Sequence, residues 1–179
     1  YAREIFKNNP GNPKDLAGRG LKSHSTDSLE KIIQNQISQE LNFERFEIKD
    51  LKISRDNSTE RQKLYLQSLG EITEKNWSKF NQSITDILDA WIEKQDYRPM
   101  EQYLTIAPNQ INDLLTLEVP LQWKEFHLQN LNLWQKKAAI FTALIKFNED
   151  PIKTYQAFKQ LPSVLNENSI LQNVLEKQS

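Results

Sequence analysis

Glycine all but disappears after the first 20 residues. Gly11, Gly18 and Gly20 lie near the N-terminus, and only Gly70 follows them. Glycine is the residue that tight turns, bulges and left-handed corners ask for. A chain this poor in it has few places to turn sharply, and suits long helices joined at a few marked points. Prolines supply several of those marks. Pro99, Pro108, Pro120 and Pro151 each sit where an apolar helical pattern begins. Proline is tolerated in a first helical turn, because the N–H it lacks would have no intrahelical partner there.

The apolar spacing agrees. Ser25 or Thr26 caps a helix starting at Asp27, with Leu29, Ile32, Ile33, Ile37 and Leu41 on one face and an end near Asn42. Residues 43–57 carry Phe43, Phe46, Ile48, Leu51 and Ile53 among charges. A strand there has no evident partner, so the stretch reads as an extended, packed connection. Asn57 with Glu60, or Ser58, starts the next helix. Tyr65, Leu69, Ile72, Phe80, Ile84, Ile87 and Trp91 then recur at helical spacing to Lys94, a run of about 35 residues and about 50 Å. Gly70 marks a bend or a close crossing in it. Short helices follow over 99–106 and 108–117, then a long one over 120–148. Asp150-Pro151 starts another, and Pro162 begins or precedes the last. The expected fold is all-α: an irregular bundle with two long helices, 58–94 and 120–148, plus several shorter ones. Residues 25–179 form one helical domain, preceded by a weakly ordered arm over 1–24 that holds Pro10, Pro13 and three of the glycines.

Charge and composition exclude more than they suggest. Lys plus Arg number 23 and Asp plus Glu 24, a net charge of -1. That balance gives no electrostatic reason to expect a nucleic-acid partner. Only the N-terminal arm leans basic, through Arg3, Lys7, Lys14, Arg19 and Lys22. The chain has no cysteine, which removes disulfides, thiolate metal sites and cysteine nucleophiles. Its most apolar run, Ala138 to Ile145, is far short of the roughly 20 residues that span a bilayer.

Motifs that carry chemistry are missing. There is no His-Glu-x-x-His, no phosphate-cradling glycine loop and no nucleophile elbow. The Glu-x-x-His pairs of two-metal bundles are absent as well. Glu71 with Glu74, and Asp86 with Asp89 and Glu93, fall off the apolar stripe and read as solvated faces. No catalytic residue, metal ligand or cofactor is therefore expected. The candidate ligand-binding residues are Trp123, His127 and Trp134 on the 120–148 helix. Here His127 shares a stripe with aromatic rings and would act as a base or ligand in an aromatic pocket. The competing reading is a buried histidine held by backbone or core groups. Trp123 is the ring expected to be partly exposed.

Two blocks carry a resemblance. One is Leu51-Lys-Ile-Ser-Arg-Asp-Asn-Ser-Thr-Glu followed by Tyr65-Leu-Gln-Ser-Leu-Gly-Glu-Ile. The other is Val119-Pro-Leu-Gln-Trp-Lys-Glu-Phe-His-Leu-Gln-Asn-Leu-Asn followed by Asp150-Pro-Ile-Lys-Thr-Tyr-Gln-Ala-Phe. Together, over residues 12–160, the chain resembles helical membrane-anchored extracytoplasmic proteins of candidate-phyla (patescibacterial) bacteria. The resemblance implies one membrane-spanning segment upstream of Tyr1, a location outside the cytoplasm and no known activity. The expected function is a non-enzymatic helical module for protein–protein interaction in the cell envelope or a surface assembly. The alternatives are an intracellular, cytoplasmic scaffold or adaptor, or a small-ligand-binding or enzymatic domain that uses His127.

Overall fold

The computed structural model describes residues 34–35 and 39–177. The chain divides into two units, residues 1–39 and 40–179. In the first, Gln34 and Asn35 are helical and exposed. The rest of the helix expected from Asp27, the arm over 1–24 and the domain start at 25 lie outside the described residues. That helix does not reach Asn42, since residues 40–47 form no regular element and Leu41 enters the core from an extended segment.

The second unit is predominantly α-helical. Numbered among its described residues, the elements are β1 (Lys52–Ser54), α1 (Thr59–Trp77), α2 (Ile84–Lys94), α3 (Arg98–Thr116), β2 (Glu118–Pro120), α4 (Lys124–Ile145) and α5 (Pro151–Glu176). Single turns of 3-10 helix, Ile48–Asp50 and Leu121–Trp123, precede β1 and α4. α4 is the axis. α5 packs along one side of it and α3 along another, while α1 lies on α3. The core runs through Leu114, Leu131, Ile140, Phe141 and Leu144, all at most 1% exposed.

The start signals hold where a side chain caps the backbone. Ser58 Oγ accepts from Arg61 N at 3.2 Å and begins α1. Asp150 Oδ1 accepts from Lys153 N at 3.0 Å and begins α5, with Pro151 next. Such caps satisfy N–H groups that the first helical turn otherwise leaves unpaired.

Several expected boundaries move. The run over 58–94 is two helices, because Ser83 and Asp86 form a reciprocal capping box that starts α2 afresh. Phe80, in the break, stays on the core stripe and so kept the period intact. Gly70 marks no close crossing: α1 runs on through it, and a Cβ there would meet nothing within 4 Å. Pro108 and Pro162 lie inside α3 and α5 instead of starting helices. Buried neighbours on both sides, Ala107 and Gln110 or Leu161 and Val164, carry each helix across the missing bond.

The segment before α1 does have a strand partner. β1 pairs in parallel with β2, with Ile53 opposite Val119 and Ser54 opposite Pro120. Pro120 is thus a strand residue, and α4 begins four residues later and ends at Ile145. The extended approach over residues 40–47 is packed as expected. The Asn132 amide clamps the Phe46 backbone, accepting from its N–H at 2.8 Å and donating to its carbonyl at 3.2 Å.

Candidate functional site

α4 places its three candidate residues in different surroundings. His127 is fully buried. Its Nε2 faces the Leu114 carbonyl at 3.2 Å, and its Nδ1 lies 2.9 Å from the Tyr65 hydroxyl. A carbonyl can only accept, so Nε2 carries the proton, Nδ1 is the acceptor and Tyr65 donates to it. Burial holds the imidazole neutral, pulling its pKa down to about 4 against the smaller opposing effect of the Leu114 bond. Burial also pushes the Tyr65 phenol upward, which keeps the donor protonated. Both ring nitrogens are committed to protein groups, so His127 is a structural bridge and not the accessible base of an aromatic pocket. Trp123 is likewise buried, not partly exposed. Its ring packs 5.7 Å from Tyr65 and 5.3 Å from Phe126.

Trp134 alone of the three faces open space. Its ring stacks on Trp77 at 4.9 Å and is half-buried at the edge of an open hollow. That hollow is a groove of about 750 Å³. α1 forms one wall through Leu66, Leu69, Gly70 and Thr73, with Lys63 and Glu74 at its ends. Lys63 to Glu74 spans roughly 16 Å at the helical rise. α5 forms the facing wall through Asn168, Leu171, Gln172 and Leu175. α4 is the floor, where Phe126, Asn130, Leu133, Trp134 and Lys137 recur at three- and four-residue steps. The lining is mostly apolar and the groove opens to solvent along one side.

The unexpected member of the site is Lys137. It is only 6% exposed. Its ammonium donates to Asn168 Oδ1 at 2.6 Å and sits 4.7 Å from the Trp134 ring centroid. Burial pushes its pKa down to about 8, with the more distant Glu167 charge pulling the other way. Glu167 itself pairs with the neighbouring Lys136 at 2.7 Å. Lys137 escaped the sequence reading because lysine suggests a solvated face. The signal was present: position 137 continues the stripe through Leu133, Ile140, Phe141 and Leu144.

A smaller hollow of about 180 Å³ lies beside Asn132 and Arg45, and its Lys136 and Glu167 already neutralise each other. Among the described residues no cluster of three or more His, Asp or Glu side chains is arranged to hold a metal. Among the same residues no helix is long and apolar enough to cross a membrane. Comparison with known protein families, with curated proteins and with solved structures yields no match for this chain.

Proposed function

We propose that this protein is a non-enzymatic helical module that binds a partner protein by taking one of the partner's amphipathic helices into the groove between α1 and α5. The observation that supports this is the groove itself. It is walled by two helices, floored by a third, mostly apolar and open on one side. A helix laid in such a slot buries apolar side chains at i, i+3, i+4 and i+7, a recurring mode of peptide recognition. Gly70 strengthens the reading. It interrupts an otherwise side-chain-bearing wall and leaves space where a partner backbone can approach closely. The neutral, doubly bonded His127 gives no reason to assign a catalytic step. We place the module on the outer side of a membrane on the resemblance alone; an intracellular adaptor would use the same groove. Fractionation of cells expressing the full-length gene separates these two locations.

The binding mode is tested by selecting from a displayed library of helical peptides patterned with apolar residues at i, i+3, i+4 and i+7. The wild-type protein should return binders. Gly70→Trp should lose them while keeping its helical circular dichroism, because the indole fills the groove and α1 is otherwise untouched. A selection that returns no binders, or binders indifferent to Gly70→Trp, removes the proposal.

A further inference from the structure

We infer that the helix bound in this groove carries a carboxylate on its apolar face, and that Lys137 receives it as a buried ion pair at the groove floor. The inference rests on the binding mode proposed above and names the chemistry of the occupant.

The argument begins with what Lys137 costs. An ammonium taken out of water loses its hydration, a cost that only good pairing offsets. Here its compensation is one neutral amide oxygen, from Asn168, and one ring face, from Trp134. Among the described residues no carboxylate stands within 4 Å of it. The acids nearest in the packing are already placed elsewhere. Glu167 on α5 is paired with Lys136, and Glu74 is exposed on the rim of α1. A methionine at position 137 would fill the same space on the stripe at less expense to the isolated bundle, since well-packed apolar groups often replace buried ions without loss.

The groove turns that expense into recognition. Lys137 lines open space, so an arriving group can reach it without unpacking the core. An ammonium has three N–H donors, and the Asn168 oxygen accepts one of them. A helix seated in the groove excludes water from the floor and lowers the local dielectric. Attraction between Lys137 and an incoming carboxylate then grows at the moment the apolar contacts form. The surroundings favour an anion over a cation or a neutral group. Lys63 and Glu74, at the two ends of the α1 wall, offset each other, so Lys137 sets the charge of the lining, and the amides of Asn130 and Asn168 can turn a donor toward a carboxylate. An occupant that is apolar throughout would bury the ammonium further and leave it without a counter-ion. The groove therefore discriminates against such helices as well as selecting acid-bearing ones.

The test repeats the peptide selection with one apolar-face position fully randomised, on the wild-type protein and on Lys137→Met, with the recovered peptides sequenced. Wild-type protein should enrich Glu or Asp at a single register. Lys137→Met should replace that acid with Leu or Met. On the wild-type protein alone, changing the enriched acid to its amide should weaken binding about tenfold or more, a readout that does not depend on the variant folding. If wild-type protein enriches apolar residues at that position, or the two profiles coincide, the carboxylate inference is overturned while the groove reading stands. If no peptide is returned, or Gly70→Trp changes nothing, the binding mode itself fails and the inference falls with it.

Discussion

The Tyr65 hydroxyl lies 2.9 Å from His127 Nδ1, while the opposite nitrogen of the same ring faces the Leu114 carbonyl at 3.2 Å. One imidazole thereby joins α1, α4 and the last turn of α3. Removing the Tyr65 hydroxyl leaves a buried acceptor with no donor. Tyr65→Phe is expected to destabilise the protein by about 1–3 kcal/mol. The measurement is the urea midpoint at unchanged slope. A shift near zero would mean that the Tyr65–His127 bond contributes nothing to stability.

Acid should act through the same ring. His127 titrates at about 4 in the fold, and an unfolded histidine at about 6.5. Between those values the unfolded chain binds a proton that the folded chain refuses, so stability falls as pH drops through that window. The loss reaches roughly 3 kcal/mol by pH 4. His127→Gln, which keeps donor and acceptor capacity without titrating, should flatten this part of the profile. Equal slopes for the two proteins between pH 6.5 and 4 would exclude His127 as the cause.

Alkali should act through Lys137, in the opposite sense. Its folded pKa of about 8 lies below the ordinary 10.5. The unfolded chain therefore holds the extra proton between those values, and this residue makes stability rise with pH from 8 to 10.5, by up to roughly 3 kcal/mol. The charge acting on it is Glu167, itself paired with Lys136, and Lys63 and Glu74 share its groove; all are retained in Lys137→Met. That variant should be more stable than wild type at pH 7 and should lose the alkaline rise. Denaturant titrations of both proteins at pH 7, 9 and 10.5 decide the matter.

Gly70 gives a prediction of opposite sign from most helix substitutions. It sits in the middle of α1, and a Cβ there meets nothing within 4 Å. Gly70→Ala should stabilise the protein by about 0.5–1 kcal/mol, the usual gain of alanine over glycine in a helix. A lower melting temperature for Gly70→Ala would show that the wall of the groove has no spare room.

How much of this was legible depended on distance along the chain. The helical class, Ser58 and Asp150 could be read because a cap and the turn it closes are neighbours in sequence. The break after Trp77 was hidden, since Phe80 keeps the apolar period while the Ser83–Asp86 box quietly restarts the helix. Pro108 and Pro162 misled for a related reason. Their local preference to start helices is outweighed by buried neighbours, which are a tertiary fact. The pairing of Ile53 with Val119 joins segments separated by three helices, and three-residue strands leave no period to detect. Of the site, Trp134 was legible as an aromatic on the right helix. His127 was legible as a buried histidine, but not as one whose partners would be Tyr65 and a carbonyl of α3. The groove was not legible at all, because it exists only where α1 and α5 flank α4 without closing over it.

That short parallel ladder also bears on how the molecule assembles. β1 and β2 close a loop holding α1, α2 and α3. Bringing distant ends together costs chain entropy, and so short a strand pair offers little in return. Chain entropy therefore predicts that the ladder closes after the helices between have packed, and does not gather them. The α1 wall does not hang on the ladder alone, since α1 packs on α3, α3 packs on α4, and Tyr65 reaches across to His127. The two walls of the groove come from opposite ends of this unit, and a helix bound between them would rivet its first long helix to its last.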